Sequence, residues 1–336
     1  MTSAAESLQT IEVSAEIRPG HRRFITQLKR LLPCLVQASV ATNPALALFQ
    51  TPARQWLFYL QSLCRVYREV HGKKPFKALA VPIKALEDQL GAVDYWDAWL
   101  KEAATKKGFP ARMKTVLKRH KSDELAALQK LIDEDEWFAN DFARVRSILE
   151  TLGAVDWHKP AKDRRKVAGF LADELKEIET EYRDGEIDFA ELELGVHEFR
   201  RQLRWISIYA QSLDGLVQLR AAESVASDLQ KYMTKAVVES PYNVLPPPVD
   251  GIEPVYLSAP HFYALSWVIA EIGIIKDDGL KIEAFTKAGK EAGLSEPSIA
   301  PLVRDCKHTL GTIPDRVAEI ARTFIIKDAV LKGLMV

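Results

Sequence analysis

The sequence predicts an all-α protein on three observations. Apolar residues recur at helical spacing over ten stretches, strand-like alternation bounded by turn signals is lacking, and prolines sit where helices begin. The stretches are 19–40, 53–71, 75–107, 110–132, 137–152, 161–183, 187–237, 259–290, 295–310 and 313–333. Pro75 falls in a first turn, where its missing N–H costs nothing, and Pro297 follows Ser295 in the same sense. Pro33 and Pro82 lie inside helical patterns and are expected to kink or break them, because the ring clashes with the preceding turn. Ser240 to Pro248, running on to Pro254, reads as an extended linker, since consecutive prolines exclude helix. The run Asp133-Glu134-Asp135-Glu136 reads as a solvated helix end. Trp56, Phe58, Tyr59, Tyr95, Trp96 and Trp99 fall at core-like spacings and read as packing.

With 336 residues the chain can bury a large core and hold two domains. Hydrophobic residues at 47% and charged residues at 27% describe an ordinary globular composition. The formal net charge of zero hides an asymmetry. Residues 1–122 carry 20 Lys and Arg against 9 Asp and Glu, a balance of +11, and residues 123–336 carry 26 against 37, a balance of −11. An acidic partner is therefore expected on the front part. Cys34, Cys64 and Cys306 are widely spaced and odd in number, which speaks against a disulfide framework or a paired-Cys zinc site. The N-terminal stretch lacks the apolar run of a secretory signal, and no apolar segment reaches the ~18 residues of a membrane span. A cytoplasmic location with no membrane partner is the expectation.

The most informative stretch is 196–213. At helical spacing His197, Arg200, Arg204, Ser207 and Gln211 form one line, and Val196, Phe199, Leu203, Ile206, Ala210 and Leu213 form the next. The lines lie about 100° apart, so the cationic heads are expected at the edge of a packed bundle, where they could line a cleft for an anion. On that placement, replacing Arg200 or Arg204 with Ala should leave the core intact.

An internal echo supports two halves. Leu90-Gly91 followed by Asp94 resembles Ile272-Gly273 followed by Lys276-Asp277, each on an apolar helix. Upstream of the first lie His21, Arg22, Arg23, Lys29 and Arg30, and upstream of the second lie His197, Arg200 and Arg204. His21 to Gly91 is 70 residues and His197 to Gly273 is 76. Two diverged helical repeats are the expectation. They are read as a tail at 1–18, a basic first repeat at 19–122, connecting helices at 123–195, and a second repeat at 196–336 with the Pro-rich linker at 240–254.

These motif pairs resemble the CHAD family, the α-helical domain named for its histidines. Trp205, Ser207 and Ile208 stand where the family carries further basic or tyrosine residues, and Asp94 comes one residue early. The resemblance implies two pseudo-symmetric helical bundles around a central basic groove that binds inorganic polyphosphate or another polyanion. The binding residues would be His21, Arg22, Lys29, Arg65, Arg68, His197, Arg200, Arg201 and Arg204, with no cofactor.

Such a ligand presents closely spaced anionic oxygens, which guanidinium forks and ammonium charges match through charge-assisted hydrogen bonds. Arg54 shares a stripe with Arg65 and Arg68, and Lys114, Lys118 and Lys121 share another. Both stripes read first as solvated faces. No Glu-x-x-His pair, Gly-rich phosphate loop, GxSxG elbow or HExxH motif occurs, so a non-catalytic role is expected. Nucleic acid is disfavoured, because no reading motif accompanies the positive charge. The alternative is a helical protein–protein scaffold, in which Asp and Glu would neutralise the basic heads.

Overall fold

The computed structural model describes residues 18–335, so the N-terminal tail apart from Arg18 lies outside the described residues. With 72% of the chain helical and 3% in strands, the all-α expectation holds. The chain divides into two units, the first ending at Lys166 and the second beginning at Val167.

The first unit contains α1 (Pro19–Ser39), α2 (Pro44–Phe49), α3 (Ala53–Val70), α4 (Lys73–Thr105), α5 (Ala111–Glu134), α6 (Ala139–Gly153) and the start of α7 (Pro160–Arg183). Helix α1 opens on Pro19 and withdraws Phe24, Leu28, Leu31 and Leu35 from water along one line. Leu57, Leu60, Cys64 and Tyr67 on α3 and Ile83, Leu86, Leu90 and Val93 on α4 do the same. Full burial of each such side chain contributes about 1.5–3 kcal/mol, so the several on one helix together outweigh the cost of about 3 kcal/mol or more for an interior proline. Pro33 and Pro82 accordingly do not break α1 and α4. Pro33 is exposed, so water can take the place of the donor it denies to the Lys29 carbonyl. The acidic run ends α5 with Asp133, Glu134 and Glu136 exposed, while Asp135 lies 3.5 Å from Arg144.

The second unit continues α7 and adds a π-helical turn (Leu192–His197), α8 (Glu198–Ser212), β1 (Val217–Arg220), α9 (Ser227–Gln230), α10 (Lys235–Val238), β2 (Val255–Ser258), α11 (Ala259–Glu291), α12 (Glu296–Ile299) and α13 (Ile313–Arg322). Its core joins Phe199, Leu203, Ile206 and Tyr209 of α8 with Phe262, Leu265, Val268, Ile272 and Ile275 of α11. The strands pair in parallel with Val217 opposite Val255.

Three expected helices are corrected here. The stretch 187–237 is broken after Ser212, where Asp214 (φ 50°) and Gly215 (φ 82°) turn the chain into β1. A Cβ at Gly215 would meet the Pro247 carbonyl at 2.1 Å, so the turn and the Pro-rich segment require each other. That segment opens on a 3₁₀ turn at Pro241–Asn243, a departure from the expected extended linker, runs without helix or strand from Val244 to Val249, and is held down. Gln211 Nε2 donates to the Tyr242 and Val244 carbonyls at 2.9 and 3.0 Å, and Gln218 Nε2 donates to the Pro246 carbonyl at 2.8 Å. The stretch 295–310 keeps only α12 and a 3₁₀ turn at Ala300–Val303, because Pro301 interrupts it and the Asp278 carboxylate accepts the Lys307 and His308 backbone N–H groups. Beyond α13, a π-helical turn at Thr323–Lys327 ends the expected helix 313–333 early.

Candidate functional site

The first turn of α1 carries the most concentrated chemistry of the first unit. Gly20 lets the loop between α6 and α7 close onto it: a Cβ there would lie 2.5 Å from Trp157 Cε3 and 2.8 Å from Tyr67 Cε1. Trp157 Nε1 donates to the Leu152 carbonyl at 2.9 Å, which fixes the indole. The His21 ring stacks on it at 5.6 Å between centroids with 3° between planes. The next residues then diverge. Arg23 turns inward and is wholly buried, donating to the Tyr67 hydroxyl and, at 2.6 Å, to Asp163 in the first turn of α7. Tyr67 also donates to Asp163, at 3.0 Å, and burial pushes its phenol well above the ordinary value. Arg22 stays half-buried. His21 Nε2 and Arg22 Nη2 are both buried without a hydrogen-bond partner among the described residues.

On the same indole lies a second imidazole. His71, which ends α3, packs nearly perpendicular to Trp157 at 5.1 Å between centroids and stacks obliquely on His158 at 4.0 Å. Its Nε2 is also buried and unpartnered. Burial, helped by the charges of His158, Lys162 and Lys166, pulls His71 down to about 4, against the opposing pull of Asp163. Burial and Lys162 also lower His158, and burial lowers His21. Neutral donors and acceptors thus sit beside two lysines at the start of α7.

The other basic residues expected in the first unit behave differently. Lys29 and Arg65 are half-buried on α1 and α3. Arg68 donates to its neighbour Glu69 at 2.8 Å. Arg54 is committed, with Nε on Glu87 at 2.9 Å and Nη1 on Asp94 at 2.7 Å. Its guanidinium occupies the space over Gly91, where a Cβ would lie 2.6 Å from Nη2. Lys121 reaches the buried Asp97 at 2.6 Å, and Lys114 lies over the Phe109 ring at 5.9 Å.

In the second unit, α8 commits most of its cations. Arg200 Nε donates to the Ile269 carbonyl at 2.9 Å, and a Cβ at Gly273 would lie 3.0 Å from that nitrogen. Burial lowers its pKa, opposed by Asp277. Arg200 is therefore part of the α8–α11 packing, which corrects the expectation that it stands clear of the core. The two arginine–glycine contacts are alike in kind, Arg54 of α3 lying over Gly91 as Arg200 of α8 lies over Gly273. Arg201 pairs with Glu198. His197 Nδ1 lies 3.3 Å from the Glu193 carboxylate, angled away from good hydrogen-bond geometry, and it holds Glu193 below the ordinary carboxylate range against the effect of burial. Arg204 is half-buried.

Sequence reasoning missed His71, Trp157, His158, Lys162 and Lys166. The one local signal is Trp157-His158-Lys159-Pro160, an aromatic and basic stretch directly before a helix-opening proline. No group of His, Cys, Asp and Glu among the described residues could hold a metal ion. No helix of the described residues is long and apolar enough to cross a membrane. No family model, no curated protein and no solved structure matches this chain.

Proposed function

We propose that this chain is a divergent CHAD-type, non-catalytic polyanion-binding protein, that its ligand is inorganic polyphosphate, and that the first unit supplies the working contacts. The observation that carries this reading is the pair of unpartnered buried nitrogens on consecutive residues, His21 Nε2 and Arg22 Nη2. A buried donor without an acceptor costs about 1–3 kcal/mol, and an anionic oxygen removes that cost while gaining a charge-assisted hydrogen bond. Residues 1–166 carry 28 Lys and Arg against 19 Asp and Glu, and this balance of +9 draws such a ligand to the first unit.

Calorimetry with long-chain polyphosphate at low salt tests the reading. Binding is expected, weakening as salt rises because the contact releases condensed counterions. Arg22→Ala should weaken it at least tenfold, since one such contact is worth about 1.5–3 kcal/mol. Absence of binding at low salt refutes it. The scaffold reading would then take its place, and the pairing of Arg201 with Glu198 and of His197 with Glu193 already favours that role for the second unit.

A further inference from the structure

Resting on that reading, we propose that the phosphate-bearing anion at His21 and Arg22 is also held by His71, His158, Lys162 and Lys166, and that its binding draws one proton from solvent onto the His71–His158 pair.

The geometry that carries this is one indole against which two imidazoles pack, His21 parallel to it and His71 nearly perpendicular. His21 and His71 both rest on Trp157, and both leave Nε2 buried and unpartnered. His158 is 4.0 Å from His71 and donates to the Val70 carbonyl, which holds it beside the end of α3. Every group that faces His71 bears on its charge. Tyr67 stacks on it from its own helix at 5.7 Å, and Phe76 approaches from α4 at 6.3 Å. Lys162, Asp163 and Lys166 act from α7. Asp163 is the one carboxylate among these groups, and Arg23 and Tyr67 already occupy it.

Without an anion, a proton on His71 would put a charge in a half-buried site facing His158, Lys162 and Lys166, with Asp163, already engaged by Arg23 and Tyr67, the one group that favours it. That is why His71 is held neutral down to about pH 4. An anion reverses the balance: it accepts hydrogen bonds from both imidazoles and offsets the lysines, so the protonated pair becomes the favoured form. Linkage makes the effect reciprocal. If the anion raises the proton affinity of the pair, acid raises the affinity for the anion by the same factor. Binding should tighten by up to about tenfold per pH unit as pH falls from the ordinary imidazole range toward about 4.

The experiment is calorimetry of the full chain with long-chain polyphosphate, whose internal groups stay ionised throughout, at pH 6 in buffers of different ionisation enthalpy. The slope of observed heat against buffer enthalpy reads protons taken up. About one proton is expected for the wild type. His71→Gln should abolish most of that uptake while leaving binding through Arg22 measurable, and His158→Gln, at a half-exposed loop position, repeats the test should the first variant not fold. Binding with no buffer-dependent heat in the wild type, or uptake unchanged in both variants, overturns the proton coupling and leaves the polyanion reading standing. No binding by the wild type overturns both.

Discussion

Replacing Asp163 with Asn should destabilise the first unit by about 3–5 kcal/mol, the cost of leaving a buried charge without its partner. The structure sets the magnitude at the upper part of the mutational range. Arg23 and Asp163 are each about 1% exposed and 2.6 Å apart, and the hydroxyl of Tyr67, itself fully buried, bonds both. No water can reach the guanidinium that the neutral amide would leave uncompensated. For a unit of this size each kcal/mol lowers the melting temperature by about 2–4 °C, so a fall of about 6–20 °C is expected. Calorimetric melting of the full chain reads it, and amide hydrogen exchange over α1 and α3 assigns the transition to this unit. The double change Arg23→Met with Asp163→Leu should recover most of the loss, because a buried ion pair exchanged for apolar groups of similar volume is often neutral. A loss below about 1 kcal/mol in Asp163→Asn would refute the claim that this triad holds the first turn of α7 to α1 and α3.

Arg200→Ala should cost about 1–3 kcal/mol in urea unfolding, since it leaves the Ile269 carbonyl without its donor and a gap over Gly273, whereas Arg201→Ala, whose pair with Glu198 is exposed, should stay within about 0.5 kcal/mol. Equal costs would contradict the committed role of Arg200. Acid should destabilise the first unit through His71: the fold keeps the ring neutral to about pH 4, the unfolded chain protonates near 6.5, and stability is therefore complete above about 6.5 and lost as pH falls toward 4. The half-buried ring is partly screened by water, so the loss is about 1–2 kcal/mol, and between pH 7 and 4 the stability difference between wild type and His71→Gln should shift by that amount in favour of the glutamine.

What the sequence by itself determined was helix. Apolar spacing is a local property, repeated every three or four residues, and it placed α1, α3, α4, α5, α6, α7 and α11 to within about three residues of their ends. It failed where a distant group competes with the local pattern: at 213–220, where the Pro-rich segment lies on Gly215, and at 300–310, where Asp278 takes the backbone donors. Of the candidate site, His21 and Arg22 were legible as a basic helix start. Their partners were not, because Trp157, His158 and Lys162 lie well over a hundred residues away, and His71 looks like any residue at a helix end. Only the tertiary structure decided which arginines are free to act. Arg22 and Arg23 are neighbours with the same side chain. One helical step, about 100° of rotation, turns Arg23 into the core against Asp163 and leaves Arg22 with a buried nitrogen that nothing in its own unit satisfies.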